Sequence, residues 1–348
     1  MIVDLRSDTV TKPTHGMLEA MMNAQVGDDV FNEDPTIKAL EEKCAAIFGM
    51  DEGLFCPSGT MTNQIAVNIL TQPYDEIICY SGAHIYKYEG GGAPGNSGVS
   101  FKLLDGNRGI LNAEEILSGI NPDDVHFPTT SVVGLENTVN KGGGCFYTMD
   151  QIAVIASACK ENGLSLHLDG ARVFNALAES NEDPSLYGQY FDTISVCLSK
   201  GLGAPVGSVL LFKNSLSRKA RRMRKVFGGG MRQAGYLAAA GIYALDNHVE
   251  RLAEDHSRAR VLGKAINDLE FVNSVLPVDT NIVIFELSEG LTSNAFIEAL
   301  DSYNVKAVPF GPKEVRFVTH LEIDDDQLNS TIDLLKSSEF KDHLLLTK

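Results

Sequence analysis

The sequence predicts an α/β protein with a large domain, built on a mainly parallel sheet covered by helices, and a smaller C-terminal α+β domain. Short apolar runs of strand length alternate with longer segments in which apolar residues recur every three or four positions. That alternation is typical of parallel strands joined by helices. The pattern changes near Arg251, and a chain of 348 residues is long enough for one large core and a smaller second one.

Six apolar runs are predicted to be strands of the large domain, and two segments between them are predicted to be helices. The predicted strands lie at 53–56, 76–79, 132–135, 164–168, 193–198 and 207–212. The predicted helices lie at 60–70 and 149–162. We place the large domain at residues 1–250. It includes an N-terminal arm of about 20 residues that lacks strand character and is expected to wrap over the site or a neighbouring subunit.

Residues 251–348 form the predicted C-terminal domain. A long charged helix comes first, followed by a strand at 281–287, a helix at 294–303 and a strand at 314–319. Short strands interspersed with helices indicate an α+β unit.

The composition argues against several classes of function. A formal net charge of -17 disfavours binding to nucleic acid or to anionic membranes, since both require a basic face. The six cysteines form no Cys-x-x-Cys pair, and we expect them to be reduced and mostly buried, with no metal site. Charges interrupt the first six residues and no apolar stretch approaches roughly 20 residues, so neither a signal peptide nor a membrane span is predicted. We expect a cytoplasmic protein.

Two predicted strands end in charged side chains. One ends at Asp169, and the next leads into Lys200 and a loop containing Gly201 and Gly203. A lysine amine can form a Schiff base with the aldehyde of pyridoxal phosphate (PLP), while a carboxylate keeps the pyridine nitrogen protonated. Because the ring then withdraws electrons from an amino acid's Cα, the pair predicts an enzyme acting at Cα or Cβ.

Each residue of this pair has an ordinary alternative. A lysine after a strand is commonly a surface residue, and Asp169 is also suited to capping the next helix. Arg172 adds a guanidinium three residues after Asp169. We therefore interpret Asp169 as the partner of the ring nitrogen and Arg172 as facing the ring's phenolic oxygen.

A helix start follows the first predicted strand. The backbone N–H groups and positive dipole end at Ser58, Gly59 and Thr60 are suited to a phosphate. A helix capped by Ser58 or Thr60 without any ligand is equally compatible with this segment.

Three further residues are candidates for substrate binding. His84 follows a predicted strand and is suited to stacking on a pyridine ring or to proton transfer, although a structural histidine is the ordinary alternative. Tyr88 lies in the same loop. Arg316 alternates with apolar neighbours, which suits either an exposed strand residue or a clamp on an amino acid's carboxylate.

One segment is basic in an otherwise acidic chain. It spans residues 218–225 and precedes Arg232. A solvated helix face is the ordinary interpretation, and an oligomer contact that lends Lys225 or Arg232 to a neighbour's phosphate is the functional one.

A set of motifs runs in order along nearly the whole chain. They are Asp4-Leu5-Arg6-Ser7-Asp8-Thr9-Val10-Thr11, Val26-Gly27-Asp28-Asp29-Val30, Gly59-Thr60, Ala83-His84, His126, Leu135-Glu136-Asn137-Thr138, Asp169-Gly170-Ala171-Arg172, Leu198-Ser199-Lys200-Gly201-Leu202-Gly203, Gly230-Met231-Arg232-Gln233 and Arg316-Phe317-Val318-Thr319-His320. Together they resemble the PLP-dependent threonine aldolases of the aspartate-aminotransferase-like fold.

This resemblance implies the fold of the PLP-dependent transferases, fold type I, with a seven-stranded sheet in the large domain. It implies a lyase that cleaves L-threonine or L-allo-threonine to glycine and acetaldehyde by retro-aldol chemistry and acts on other β-hydroxy-α-amino acids. It also implies a homo-oligomer whose active sites lie at the subunit interface, a dimer of dimers, although the sequence itself leaves dimer and tetramer open.

The resemblance further implies a role for each candidate residue. Toward the cofactor these are Lys200 for the Schiff base, Asp169 for the pyridinium, Arg172 for the phenolic oxygen, His84 for stacking, Ser58, Gly59, Thr60 and Ser199 near the phosphate, and Arg232 from a partner subunit. Toward the substrate they are Ser7 and Arg316 for the carboxylate, with Arg172, Tyr88, His84 and His126 nearby. The base for the β-hydroxyl is left open between His84 and His126.

The chain departs from the family pattern in one loop. It has Glu136-Asn137-Thr138-Val139-Asn140 where the family often has Glu-Asn-Thr-His-Asn, followed by an unusual turn, Lys141-Gly142-Gly143-Gly144-Cys145. Other interpretations are a β-eliminating lyase or aminotransferase of the same fold, a catalytically silent PLP-fold protein, and a cofactor-free lysine aldolase.

Overall fold

The computed structural model describes residues 2–346. In chain order the strands are β1 Val3–Asp4, β2 Glu52–Cys56, β3 Asp75–Tyr80, β4 Ser100–Leu104, β5 Thr129–Glu136, β6 Ser165–Gly170, β7 Thr193–Cys197, β8 Ser208–Phe212, β9 Val272–Val275, β10 Ile282–Leu287, β11 Val305–Lys306, β12 Val308–Pro309 and β13 Glu314–Val318.

The α-helices alternate with these strands through the first two thirds of the chain. They are α1 His15–Met22, α2 Pro35–Ile47, α3 Gly59–Leu70, α4 His84–Lys87, α5 Gly92–Ser97, α6 Ala113–Gly119, α7 Met149–Glu161, α8 Val173–Ser180, α9 Tyr187–Tyr190, α10 Ser217–Val226, α11 Gly235–Asn247, α12 Leu252–Asn267, α13 Ser293–Ser302, α14 Asp325–Lys336 and α15 Ser338–Leu346. Short 3-10 helices lie at Asp8–Val10, Asp29–Phe31, Pro184–Leu186 and Asn214–Leu216.

A seven-stranded sheet forms the centre of the large domain, in the order β2-β8-β7-β6-β5-β3-β4. The strands from β7 to β4 are parallel to one another, whereas β8 is antiparallel to both of its neighbours. The central strands β7 and β8 are buried along their whole length, as expected for a sheet covered on both faces by helices. The predicted mainly parallel, seven-stranded sheet is therefore confirmed.

The predicted elements match the observed ones to within a few residues, but the sequence analysis did not identify strands β1, β4, β9, β11 and β12. Strand β4 is the outermost strand of the sheet and is partly exposed. Polar residues interrupt its apolar pattern. Strand β1 has two residues and depends on parallel pairing with β11, more than 300 positions away in the chain. The prediction that the N-terminal arm lacks strand character is therefore wrong at Val3–Asp4.

A second core lies in the C-terminal part of the chain. It is built around a four-stranded antiparallel sheet, β12-β13-β10-β9, and helices α12 to α15. Val3 and Leu5 of the N-terminal arm pack into this second core, so the arm is attached to the smaller domain. The boundary predicted between residues 250 and 251 falls just before α12 and stays a prediction.

Two predictions from composition can be compared with the structure. All six cysteines are free and buried, as predicted. None of the helices within residues 2–346 combines the length and the apolar character needed to cross a membrane.

Candidate active site

The parallel strands bring the candidate residues together at one edge of the large sheet, the edge formed by the carboxyl ends of these strands. Strand β5 ends at Glu136, which pairs in register with Asp169 of β6. The loop after β3 leads to His84, and the loop after β7 leads to Lys200. Parallel strands end at the same edge, and ligands of open α/β sheets bind there. The fold therefore explains why residues far apart in sequence form one site.

A cleft of about 370 Å³ lies between this edge, the N-terminal arm and the smaller domain. Six of the predicted site residues line it: Ser7, His84, Tyr88, Arg172, Lys200 and Arg316. The arm contributes Ser7 and Thr9, while β12 and β13 contribute the opposite wall. Ser7 and Thr9 of the arm therefore line the cleft of their own chain, and the prediction that the arm wraps over the site or a neighbouring subunit stays a prediction.

Lys200 is partly buried and makes no ion pair with any residue between 2 and 346. The one hydrogen bond of its Nζ is a 3.8 Å contact with the Cys197 Sγ. Cys197 in turn contacts the start of α3, where a Cβ on Gly59 would lie 2.5 Å from the Cys197 Sγ. Only glycine fits at position 59, and the helix start lies close to the lysine as a result.

The start of α3 offers unused backbone donors. The Ser58 Oγ accepts from the Met61 N–H and so caps the helix. The N–H groups of Gly59 and Thr60 make no hydrogen bond within the described chain. Free N–H groups at a helix N-terminus favour an anion. Ser199 is partly buried directly before Lys200, on the same side of the sheet.

Asp169 is buried at the end of β6 and is held by a polar network. Its carboxylate accepts from the Asn63 Nδ2 at 2.9 Å and from the Ala171 N–H at 3.1 Å. The other side of the Asn63 amide contacts the His167 Nε2. Burial lowers the pKa of His167 to about 4, so this histidine is neutral at pH 7. Each oxygen of the Asp169 carboxylate accepts one of these hydrogen bonds and has a lone pair left for a further partner.

His84 begins α4 and lies beside Asp169 and Glu89. A ring nitrogen of His84 and one carboxylate oxygen of each acid all lie within 4.8 Å of one another. The His84 Nδ1 is 3.1 Å from the Glu89 Oε1. Burial opposes the charged imidazole, but the hydrogen bond that the imidazole donates to Glu89 and the charge of Asp169 outweigh burial and raise the pKa of His84. Tyr88 packs against the His84 ring at 5.7 Å between centroids.

Glu136 connects the two halves of the site. Its carboxylate accepts from the backbone N–H of His84 and of Asn140, both at 2.9 Å. Complete burial, with the nearby charge of Asp169, raises the pKa of Glu136 to about 7. The Asn140 side chain then accepts from the Arg316 Nη1 at 2.7 Å. Glu136 thus anchors both the loop carrying His84 and the loop that holds Arg316.

Arg172 is buried in an ion pair that the sequence did not indicate. Its Nε and Nη2 each donate at 2.7 Å to the Asp8 carboxylate. Burial alone would raise the pKa of Asp8, but the charge and hydrogen bonds of Arg172 lower it to about 2. The Asn281 Nδ2 adds a contact at 3.3 Å from the smaller domain. Asp8 therefore ties the arm to both domains and orients Arg172 in the cleft.

Arg316 has only neutral hydrogen-bond partners. Its Nη1 and Nη2 donate to the Asn140 Oδ1 and to the backbone oxygen of Arg6. Its Nε is buried without a hydrogen-bond partner in the described chain. Burial, together with the positive charge of Arg172, lowers the pKa of Arg316 to about 10, which leaves it charged at pH 7. A buried cation without a carboxylate partner is suited to a ligand's carboxylate.

Two predicted site residues, His126 and Arg232, form no ion pair with any residue that lines the cleft within the described chain. His126 is highly exposed in the loop before β5, at the opposite edge of the sheet, and contacts Asp124. Arg232 is half exposed and pairs with Asp28 at 3.0 Å. Neither side chain can reach this cleft without a second copy of the chain, so their predicted roles stay predictions.

Asp8→Asn is expected to destabilise the protein by about 3 kcal/mol, because it leaves the Arg172 charge buried without its partner. Since the folded pKa of Asp8 is lowered to about 2, its contribution exists above its unfolded pKa of 3.8 and is lost as the pH falls through 2. That contribution is about 2 kcal/mol. Urea unfolding of wild type and variant at pH 7 and at acid pH measures both effects.

The control for this measurement is Asp246→Asn, which breaks an exposed ion pair with Lys43. It is expected to change the free energy of unfolding by less than about 1 kcal/mol. Equal effects of the two substitutions would show that the Asp8–Arg172 pair does not organise the arm.

The residues present fit PLP. A partly buried lysine without an ion-pair partner lies between a helix start with free N–H groups and a buried carboxylate, and Gly59 leaves room where any Cβ would collide. The fold is that of the fold type I PLP enzymes. A threonine aldolase from Leishmania major superposes with a TM-score of 0.83 at 21% identity, covering 96% of this chain and 98% of that one.

Sequence comparison identifies the family. The family model for β-eliminating lyases matches residues 4–289, and the chain belongs to this family. The low-specificity L-threonine aldolase of Escherichia coli K12 is 40% identical over 330 residues, covering 94% of this chain and 96% of the relative. A probable low-specificity L-threonine aldolase of Arabidopsis thaliana is 39% identical, with 93% of each covered.

Proposed function

We propose that this chain is a PLP-dependent low-specificity L-threonine aldolase, which cleaves L-threonine and L-allo-threonine to glycine and acetaldehyde and acts on other β-hydroxy-α-amino acids. The observation that carries the proposal is near-full-length similarity to enzymes of that name, 40% identity over 94% of the chain. The arrangement of Lys200 and the two arginines in one cleft supports it, with the Asp169 carboxylate within 4.8 Å of the cleft residue His84.

In this function PLP, when bound, supplies an electron sink next to the amino acid's Cα. Lys200 would hold the cofactor through its aldehyde, and Asp169 would keep a proton on the pyridine nitrogen. The free N–H groups of Gly59 and Thr60 would bind the phosphate. Arg172, which keeps Nη1 free of any hydrogen bond within the described chain, would serve the phenolic oxygen.

The substrate is held by its carboxylate. Arg316 presents a charged guanidinium from β13, and the Ser7 Oγ lies on the facing arm. By fixing the carboxylate, Arg316 and Ser7 would orient the substrate and so decide which of its Cα bonds is in position to break, here the Cα–Cβ bond. Positioning of this kind can account for a large part of a rate enhancement.

His84 is the base that a single chain can supply for the β-hydroxyl proton. Its Nδ1 is engaged by Glu89, which leaves Nε2 to face the substrate. The hydrogen bond that Nδ1 donates to Glu89 stabilises the imidazolium that forms when the proton arrives. His126 would have to come from a second subunit.

Arg316→Ala is expected to raise the KM for L-threonine about 30- to 100-fold, because the substrate carboxylate loses a charge-assisted pair. The absorbance of the bound cofactor should be retained, since Arg316 contacts no cofactor-binding residue. Arg316→Lys should recover part of the loss. An unchanged KM in the alanine variant would remove Arg316 from the substrate site.

The function is tested by incubating the PLP-saturated enzyme separately with L-threonine and with L-allo-threonine while trapping acetaldehyde. Stoichiometric glycine and acetaldehyde are expected from at least one of them. Absence of both products from either substrate would contradict the proposal.

The family match favours one second candidate, a β-eliminating lyase. This enzyme would release pyruvate and ammonia from L-serine, and it would need no cleavage of the Cα–Cβ bond. Comparing pyruvate from serine with acetaldehyde from threonine distinguishes the two reactions, and adding an oxo acid detects transamination.

We also propose that the enzyme is a cytoplasmic homotetramer, assembled as a dimer of dimers with active sites at the subunit interface. Exposed apolar side chains near Arg232 support a subunit contact there, among them Phe31, whose ring lies 6.0 Å from the Arg232 guanidinium. Sedimentation measurements of the purified enzyme test the assembly.

A further inference from the structure

The cleft contains more positive charge than the proposed function uses. Four cationic side chains line it: Lys141, Arg172, Lys200 and Arg316. Arg172 is paired with Asp8, Lys200 is assigned to the cofactor and Arg316 to the substrate carboxylate. Lys141 is left without an assignment.

Lys141 has unused hydrogen-bonding capacity. Its Nζ donates to the backbone oxygen of Phe310 at 2.7 Å and lies 3.5 Å from the centroid of the Phe310 ring. An ammonium has three donors, and this contact uses one. Lys141 forms no ion pair with a carboxylate of the described residues, and burial lowers its pKa. The charge of Glu314 partly offsets this burial, but the hydrogen-bond partner of Lys141 is neutral, and a partly desolvated ammonium of this kind favours an anionic ligand.

Lys141 and Arg316 lie close to each other. The Arg316 guanidinium carbon is 5.0 Å from the centroid of the same Phe310 ring. The separation between the Lys141 Nζ and the Arg316 guanidinium carbon is therefore no larger than the sum of their two distances to that centroid. A four-carbon amino diacid can place one carboxylate on each.

The loop holds Lys141 in place. The turn after it is anchored by a hydrogen bond from the Arg108 Nε to the backbone oxygen of Gly142, at 2.8 Å. Gly144 has a φ of +78, and the Thr280 Oγ1 donates to its backbone oxygen at 2.9 Å. Lys141 is the first residue of the turn Lys141-Gly142-Gly143-Gly144-Cys145, in which the sequence departs from the pattern it otherwise resembles.

We propose that Lys141 forms an anion subsite at the cleft that accepts the distal carboxylate of β-hydroxy-α-amino diacids, the class of 3-hydroxyaspartate. The inference rests on the proposed function. Cleavage breaks the Cα–Cβ bond, the hydroxyl proton goes to the base, and Cα gains a proton. The products are glycine and glyoxylate, and no oxidant or reductant is needed.

Binding tests the subsite without turnover. L-Aspartate and L-asparagine have nearly the same shape, lack a β-hydroxyl group and differ in distal charge. Their dissociation constants are measured from the change in cofactor absorbance. We expect wild type to bind aspartate at least tenfold more tightly than asparagine, and Lys141→Met to lose most of this preference. Equal preference in wild type and variant would overturn the inference.

Turnover provides the second measurement, with L-threonine and the L-isomers of 3-hydroxyaspartate as substrates. Lys141→Met should lower kcat/KM for hydroxyaspartate at least tenfold more than for threonine. The control, Lys87→Met, removes an exposed cation that does not line the cleft and should leave the ratio unchanged. If both variants changed the ratio of the two kcat/KM values equally, general electrostatic attraction of the diacid would explain the effect, and the proposed subsite would be wrong. If threonine itself were not cleaved, the proposed function would fail, whatever the aspartate preference.

Discussion

Lys200→Ala is expected to reduce threonine cleavage by on the order of 10³-fold or more and to abolish the absorbance of lysine-bound PLP. No described lysine other than Lys141 shares the cleft, and Lys141 is engaged with Phe310 on the far wall. The free N–H groups of α3 and the Asp169 carboxylate remain in the variant, so PLP should still bind non-covalently. The measurement is the absorbance spectrum and kcat of PLP-saturated protein.

The control for this experiment is Lys160→Ala, an exposed residue near the end of α7. It should match wild type in both spectrum and kcat. Full activity in Lys200→Ala would exclude Lys200 from the chemistry.

Asp169→Asn is expected to lower kcat by about 10²- to 10³-fold with a smaller change in KM. Asparagine keeps the shape and the acceptor for Asn63, but it removes the charge that holds a proton on the pyridine nitrogen. An unprotonated ring is a weaker electron sink, so the loss appears in the bond-breaking step, while Arg316 still holds the substrate. Single-turnover kinetics with L-threonine measure it.

Asp105→Asn is the matched control, because Asp105 directly follows β4 at the same edge of the sheet and accepts from Ser81 without lining the cleft. It should leave kcat near the wild-type value. An undiminished kcat in Asp169→Asn would mean that another group protonates the ring.

The central residues of the site could be predicted from the sequence because they lie at the ends of predicted strands. Asp169 and Lys200 each follow an apolar run, and parallel pairing places such ends side by side. Glu136 shows the same signal, an apolar run ending in an acid, and could have been assigned a role from it. Its use of both carboxylate oxygens on backbone N–H groups could not be foreseen, since it depends on the path of two loops.

Contacts between segments that are far apart in the chain could not be predicted from the sequence. Asp8 stands in a recognised motif, but its pairing with Arg172 depends on the path of the arm across both domains. His126 illustrates the opposite case. It stands in the ordered set of motifs, yet it lies before β5, and only the direction of that strand shows that it is far from the cleft of its own chain.

The account depends on a covalent bond between Lys200 and PLP. The most direct measurement is borohydride reduction of the PLP-saturated enzyme, followed by protease digestion and mass spectrometry. We predict one reduced pyridoxyl phosphate adduct, located on the peptide containing Lys200. An unmodified Lys200 peptide, or an adduct on Lys141 or another lysine in its place, would contradict the account.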